Sequence, residues 1–334
     1  MSDELLTTVV GSYPIPDWLA AHPSEEAWRD ALATVLHIQE MIGIDVVTDG
    51  ELSRFDRDHP ETNGMIEYFV HPLTNVRTTF SRTEERRFRE FPDMQFRTRP
   101  AGVVEGQLGE GTLHLARDYQ RVRSLTKSPI KFTLTSPYML AKAMVDRHYK
   151  TPQALMIALA DVLAHQVAEI DADIVQVDEV FLVGRPEDAV WAIEPLNHIF
   201  DSIKHQAAIH LCHGNYGGQP TQSGHLGKLI DFLNQLHIDH VVLEMAVNNQ
   251  AELDVFRNLR PEIKVGVGVI DIKRTVVETP DEVAQRIGQA HTVLGPGRIR
   301  YVHPDCGFWM LRRGIADAKM RALVQGRNLY LGKK

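Results

Sequence analysis

The stretch "AAIHLCHG", residues 207–214, opens on small and branched apolar side chains and closes on polar ones. An apolar run this short suits a strand of a parallel sheet, covered on both faces. His210 and Cys212 stand two residues apart, which puts both on one face of such a strand, pointing inward. Seven other runs share this character: "TTVVGS" (7–12), "DVVTDGE" (45–51), "IKFTLTS" (130–136), "DIVQVDEVF" (173–181), "HVVLEMA" (240–246), "KVGVGVIDI" (264–272) and "IRYVHPDCG" (299–307).

Helical patterns with start signals lie between the runs. Ser24 precedes a segment ending at Gly43, Thr151-Pro152 opens a second, and Thr279-Pro280 opens a third with Glu282 at the capping-box position. Eight strands alternating with helices indicate a single α/β domain over residues 1–334, a (β/α)₈ TIM barrel. A doubly wound sheet would carry a Gly-rich phosphate turn after its first strand; here that strand ends in "GSYP", and "GVGV" (266–269) lacks the third glycine and the helix. Residues 52–128, between the second and third strands, are charge-rich ("RTEERRFREF", 82–91) and hold alternating segments able to pair as a hairpin. They read as a long insertion, an elaborated βα loop.

The chain has 334 residues, is 43% hydrophobic and 24% charged, and carries a formal net charge of -8. That balance argues against a nucleic-acid partner. No apolar run reaches the ~18 residues of a membrane span. The start, "MSDELLTTVV", lacks the basic and apolar regions of a secretion signal. A cytoplasmic enzyme is expected, whose two cysteines serve a metal or catalysis rather than a disulfide framework.

In a parallel barrel the chemistry collects at the C-terminal ends of the strands. Ser12, Glu51, Asp178, Glu179, His210, Cys212, Glu244, Asp271 and Cys306 interrupt the apolar runs there. His210, Cys212, Glu244 and Cys306 offer N, S, O and S donors, a set suited to Zn²⁺. Structural zinc uses short paired knuckles, so ligands spread over three strand ends point to a catalytic metal, with a carboxylate ligand loose enough to exchange for substrate. A lone buried His or Cys on a strand is more often core packing; four donors at matching depth, including both cysteines, reverse that. His213 alternates to the other side and reads as an outward, helix-packing residue, and His303 as a neighbour of the site.

At these residues the sequence resembles the C-terminal catalytic domain of cobalamin-independent methionine synthase, within a superfamily that includes uroporphyrinogen decarboxylase-like barrels and coenzyme M transferases. The matching stretches are "TTVVGSYP", "DVVTDGELSR", "DIVQVDE", "HLCHGNY", "VVLEMA", "GVGVIDIK" and "HPDCG", in family order from residue 7 to 307. The chain has no room for the synthase's additional N-terminal barrel, so it resembles the short core form.

The resemblance implies that His210, Cys212, Glu244 and Cys306 bind zinc. It implies that Ser12 takes the carboxylate of homocysteine, and Glu51 and Asp178 its ammonium. The bland alternative for the two carboxylates is a salt bridge to a barrel Arg or Lys. The expected reaction moves a methyl group to the thiol of homocysteine, giving methionine. Two positions depart from the folate-using pattern: Thr135 stands where a tryptophan stacks on the pteridine, and Lys273, beside Asp271 in "IDIK", stands where a histidine protonates the leaving folate. Lys273 is the candidate acid, on condition that burial depresses its pKa, and Asp271 is the second catalytic candidate. The expected donor is a methylcorrinoid, another small carrier, or a folate delivered by a partner protein.

A thiol alkyltransferase of the coenzyme M type, taking its alkyl group from a corrinoid or an epoxide, is the alternative. Its sulfonate acceptor calls for Arg or Lys where this chain has Glu51 and Asp178. A zinc-stabilised binding module would need neither those acids nor the long loop.

Overall fold

Strands form where the apolar runs lie, and the residues that end each run decide how far it extends. The structure, a computed structural model, describes residues 4–56, 64–90, 97–215, 218–246 and 250–333. Its strands are β1 (Leu6–Thr7), β2 (Thr74–Arg77), β3 (Gly102–Gly109), β4 (Lys131–Thr135), β5 (Met144–Asp146), β6 (Ile174–Glu179), β7 (Gln206–Leu211), β8 (His240–Leu243), β9 (Lys264–Ile270) and β10 (Ile299–Pro304).

Seven of them make one all-parallel sheet in the order β1-β10-β9-β8-β7-β6-β4. The run at 45–51 forms no strand of its own. Instead Thr8 bridges to Val46 and Val47 to Ile130, both in parallel sense, so this segment touches both edges of the sheet. The Val46 amide donates to the Thr7 carbonyl at 3.1 Å, and the Lys131 amide to that of Val47 at 2.9 Å. The segment is short because Gly50 (φ 69°) and Glu51 (φ 57°) turn the backbone left-handed directly after it.

The three capped helices form where expected. Ser24 caps Glu25–Ile42, which ends at Gly43 (φ 91°); Thr151 caps Pro152–Ala168; Thr279 and Glu282 form a capping box on Pro280–Leu294. The main core lies between helices and sheet, where Val175, Val177, Ile209, Leu211, Val241 and Leu243 pack. Ile174, Ala208, Val242 and Tyr301 face the other way and form a small second cluster with Val10 and Val46. By the two-residue period, Gln176, Asp178 and His210 share that second face.

A three-stranded sheet, β2-β3-β5, stands apart, with β2 antiparallel and β5 parallel to β3. The hairpin read in 52–128 is thus present as β2 and β3. Its third strand comes from beyond that range, because β5 pairs with the backbone groups that the edge of β3 would otherwise leave open. Residues 57–63 and 91–96 of that range lie outside the described residues. Among the described residues, no helix is long and apolar enough to cross a membrane.

Candidate metal centre

β7 ends at Leu211, and the chain leaves the sheet at Cys212; β10 ends at Pro304, two residues before Cys306. These exits bring the Sγ atoms of Cys212 and Cys306 to 3.9 Å. The ligand atoms of His210, Cys212 and Cys306 all lie within 4.8 Å of one another. His210 Nδ1 lies 3.1 Å from the Val242 carbonyl, which orients the ring. Its Nε2 is buried with no hydrogen-bond partner among the described residues. A buried imidazole nitrogen without a partner, beside two thiols, is costly unless something takes its lone pair. The donor set fits a thiophilic divalent ion such as zinc, and the ring's second hydrogen bond is the support such ligands receive.

The thiols are polarised against each other. Cys306 is pushed below its ordinary value, chiefly by its contact with the Cys212 thiol, with His210 adding to the effect against burial. Cys212 is raised well above its ordinary value by the same contact and by burial. The Gly214 amide donates to Cys212 Sγ at 3.4 Å, in a turn that Gly214 makes at φ 75°.

Glu244, the fourth expected donor, is buried (1% exposed) but is not part of this three-donor group. Its Oε1 pairs with Lys273 Nζ. Its Oε2 accepts from the His213 amide at 2.8 Å and lies 3.2 Å from His213 Nδ1. His213 therefore turns toward Glu244, not outward, because the alternation of β7 no longer applies two residues past its end. Burial alone would raise the Glu244 carboxyl, but His213 and Lys273 hold it down at about 2. Lys273 is raised: burial works against its charge, and the Glu244 carboxylate outweighs burial. The ammonium is held firmly, the opposite of the condition set for a proton donor. Asp271 serves the same loop, its Oδ1 accepting from the Lys273 amide at 2.8 Å while Glu278 accepts from the Asp271 amide at 2.8 Å.

A cavity of about 810 Å³ opens over the three donors, with Ser12, Glu51 and Asp178 on its wall. Asp178 accepts from Gln176 Nε2 at 2.7 Å, and its carboxyl is pushed up to about 7 by burial, opposed by His210 and reinforced by Glu51. Glu51 accepts from Thr133 Oγ1 at 2.7 Å and pairs with buried Arg54 at 3.3 Å. Two of these residues pack closely on glycines, where a larger residue would displace the site side chain. A Cβ at Gly11 would meet Glu51 Oε1 at 2.2 Å, and one at Gly307 would meet Ser12 Oγ at 1.9 Å.

The far wall comes from the region between β2 and β4, with Thr78, Phe80, Arg97 and Arg99, and from Trp309 three residues past Cys306. None of these was a sequence candidate; only proximity to "HPDCG" could have drawn attention to Trp309. Thr135 turns away, its Oγ1 donating to the Met65 carbonyl at 2.5 Å, and His303 faces the Pro304 carbonyl of its own strand. Asp305 was also missed: its Oδ1 accepts from the amides of Met245 (2.9 Å) and Ala246 (2.7 Å), pinning the chain after Glu244 against the chain before Cys306.

Comparison with known proteins gives the family of the chain. Residues 5–327 match the family described as the cobalamin-independent synthase catalytic domain. A methionine synthase of Sulfurisphaera tokodaii is 31% identical over 96% of this chain and 91% of its own length. One of Sulfolobus acidocaldarius is 29% identical over 98% and 93%. Among solved structures, a B12-independent methionine synthase from a Shewanella species, in complex with selenomethionine, superposes with a TM-score of 0.81 at 24% identity, covering 98% of both chains. That last likeness bears on the fold.

Proposed function

The chain belongs to the cobalamin-independent methionine synthase catalytic-domain family, and from that premise we propose that it transfers a methyl group to the thiol of homocysteine, giving methionine, with zinc at the His210–Cys212–Cys306 group. One observation carries the reading: two thiols and an unpartnered imidazole nitrogen share the cavity with Ser12, Glu51 and Asp178. We read the bridges of Val46 and Val47 to both sheet edges as closing a (β/α)₈ barrel, with 52–128 as a loop elaboration over its mouth. In such a barrel the named donors would stand at the C-terminal ends of the strands.

Zinc, when bound, supplies a thiolate from a thiol at neutral pH. The chain does the rest. His210, Cys212 and Cys306 hold the ion, with Glu244 as an exchangeable fourth donor. Asp178, with Glu51, accepts the substrate ammonium, and Ser12 donates to its carboxylate. A substrate anchored at both ends presents its sulfur to the cavity, where the methyl carrier must stand in line.

The donor is read as a methylcorrinoid or another carrier, free or brought by a partner protein. Thr135 offers no aromatic face, and Lys273 is committed to Glu244. The acidic wall at Glu51 and Asp178 weighs against a sulfonate thiol, hence against the coenzyme M alternative. The test is methionine formation by zinc-loaded protein with homocysteine and a panel of methyl donors. Methionine should form with a methylcorrinoid, and only slowly with methyltetrahydrofolate triglutamate alone. Failure with every donor at full zinc occupancy would overturn the function. A rate of ~1–10 per second with the folate alone would overturn the donor assignment.

A further inference from the structure

We propose, resting on the reading that the three-donor group binds zinc and receives the substrate thiol, that Lys273 and His213 are positioning residues: they form a berth that receives the Glu244 carboxylate when the thiol sulfur takes its place on the metal.

Three observations carry this. Both oxygens of Glu244 are already in the berth, Oε1 on Lys273 Nζ and Oε2 on the His213 amide and ring. The three residues follow the ends of adjacent strands, His213 after β7, Glu244 after β8 and Lys273 after β9. The proposed exchange therefore turns the Glu244 side chain between the berth on its two sides and the donors that follow β7 and β10. The berth is also built to stay in place: Asp271 holds the Lys273 amide, and His213 Nε2 lies 3.2 Å from the Gly224 carbonyl.

Charge makes the berth necessary. Two thiolates and a neutral imidazole balance a divalent ion, so one further anion leaves the site at minus one. Exchanging a carboxylate for a thiolate preserves that charge but releases a carboxylate that is 1% exposed. A buried carboxylate without a partner is strongly unfavourable. The Lys273 ammonium removes that penalty, so the exchange need not lift Glu244 into solvent.

The berth competes with the metal for Glu244, which gives it a signature independent of turnover. In Lys273→Met the carboxylate should stay on the metal. Chelator competition should then show Zn²⁺ held about tenfold tighter, within the range that residues supporting metal ligands command. X-ray absorption of the zinc-loaded wild type should count two sulfur neighbours, rising to three with L-homocysteine; in Lys273→Met the count should stay nearer two at the same thiol concentration. Lys273→Arg should restore the rise. His213→Gln, which keeps the amide donor, should shift affinity the same way by a smaller factor, and decides the matter if Lys273→Met does not fold. Wild-type affinity together with a rise to three sulfurs in the deciding variant would overturn the berth and leave the proposed function standing. A wild type whose sulfur count does not rise with homocysteine would overturn both.

Discussion

Asp178 is a buried carboxyl that accepts from Gln176 Nε2 at 2.7 Å, and burial raises it to about 7 with Glu51 adding to the rise. A substrate ammonium needs its ionised form. Below pH 7 the empty site holds a growing fraction of neutral Asp178, so the KM for L-homocysteine should climb as pH falls from 8 to 6. A simple alkyl thiol, which carries no ammonium, should show no such climb. Asp178→Asn should cost homocysteine ~2–5 kcal/mol, cost the alkyl thiol little, and flatten the difference between their pH profiles. Equal losses for both thiols would refute the role. The types and spacing of His210, Cys212 and Cys306 were legible in the sequence because period-two alternation and strand ends dictate where such residues point. The state of Glu244 was not. Its partners lie 31 residues before it and 29 after it, and no local pattern encodes which of several nearby cations a carboxylate will choose.

A strand's end can be as consequential as its run. β6 closes on Glu179, whose Oε1 accepts from the amides of Phe181 (2.7 Å) and Leu182 (2.9 Å) and whose Oε2 accepts from Ser136. Burial lifts its carboxyl from 4.5 to about 7, against those donors. The folded state therefore binds this proton more tightly than the unfolded chain, and stability from this group is present below pH 4.5 and lost as pH rises toward 7. The loss is up to about 3 kcal/mol by pH 8. Glu179→Gln keeps an acceptor for the two amides and should flatten that part of the profile, read as urea midpoints at pH 5 and pH 8. An unchanged pH slope would refute it. Seven of the eight apolar runs became strands, and the eighth stopped at bridges because Gly50 and Glu51 bend away, a backbone choice that apolar content does not report. β5 was illegible for a related reason: three residues at the rim of another sheet have too few side chains to show a period.

Across the whole molecule, the last helix (Arg313–Tyr330) ties distant parts together. Lys319 is fully buried and donates to the carbonyls of Asp271 (2.8 Å) and Val276 (2.6 Å) and to Glu278 (2.9 Å). Lys319→Met should lower the unfolding free energy by about 3–5 kcal/mol, the penalty for stranding a buried partner, and equilibrium denaturation will measure it. Because Lys319 grips the loop of Asp271, the same variant should loosen the support of Lys273. At the other end of this helix, Arg327 reaches the Leu5 carbonyl at 2.9 Å and Asp45 at 2.6 Å. Among the described residues the named strand that pairs with β1 is β10, with Leu6 opposite Tyr301. Ribosomes add about 5–20 residues per second, so the first strand waits roughly 15–60 s, by that rate, for its neighbour to be synthesised. Throughout that interval the side of β1 that pairs with β10 stands open, while its other side can already meet the segment around Val46. Translation speed and holding chaperones, more than final stability, should therefore set how much of this protein a cell recovers in folded form.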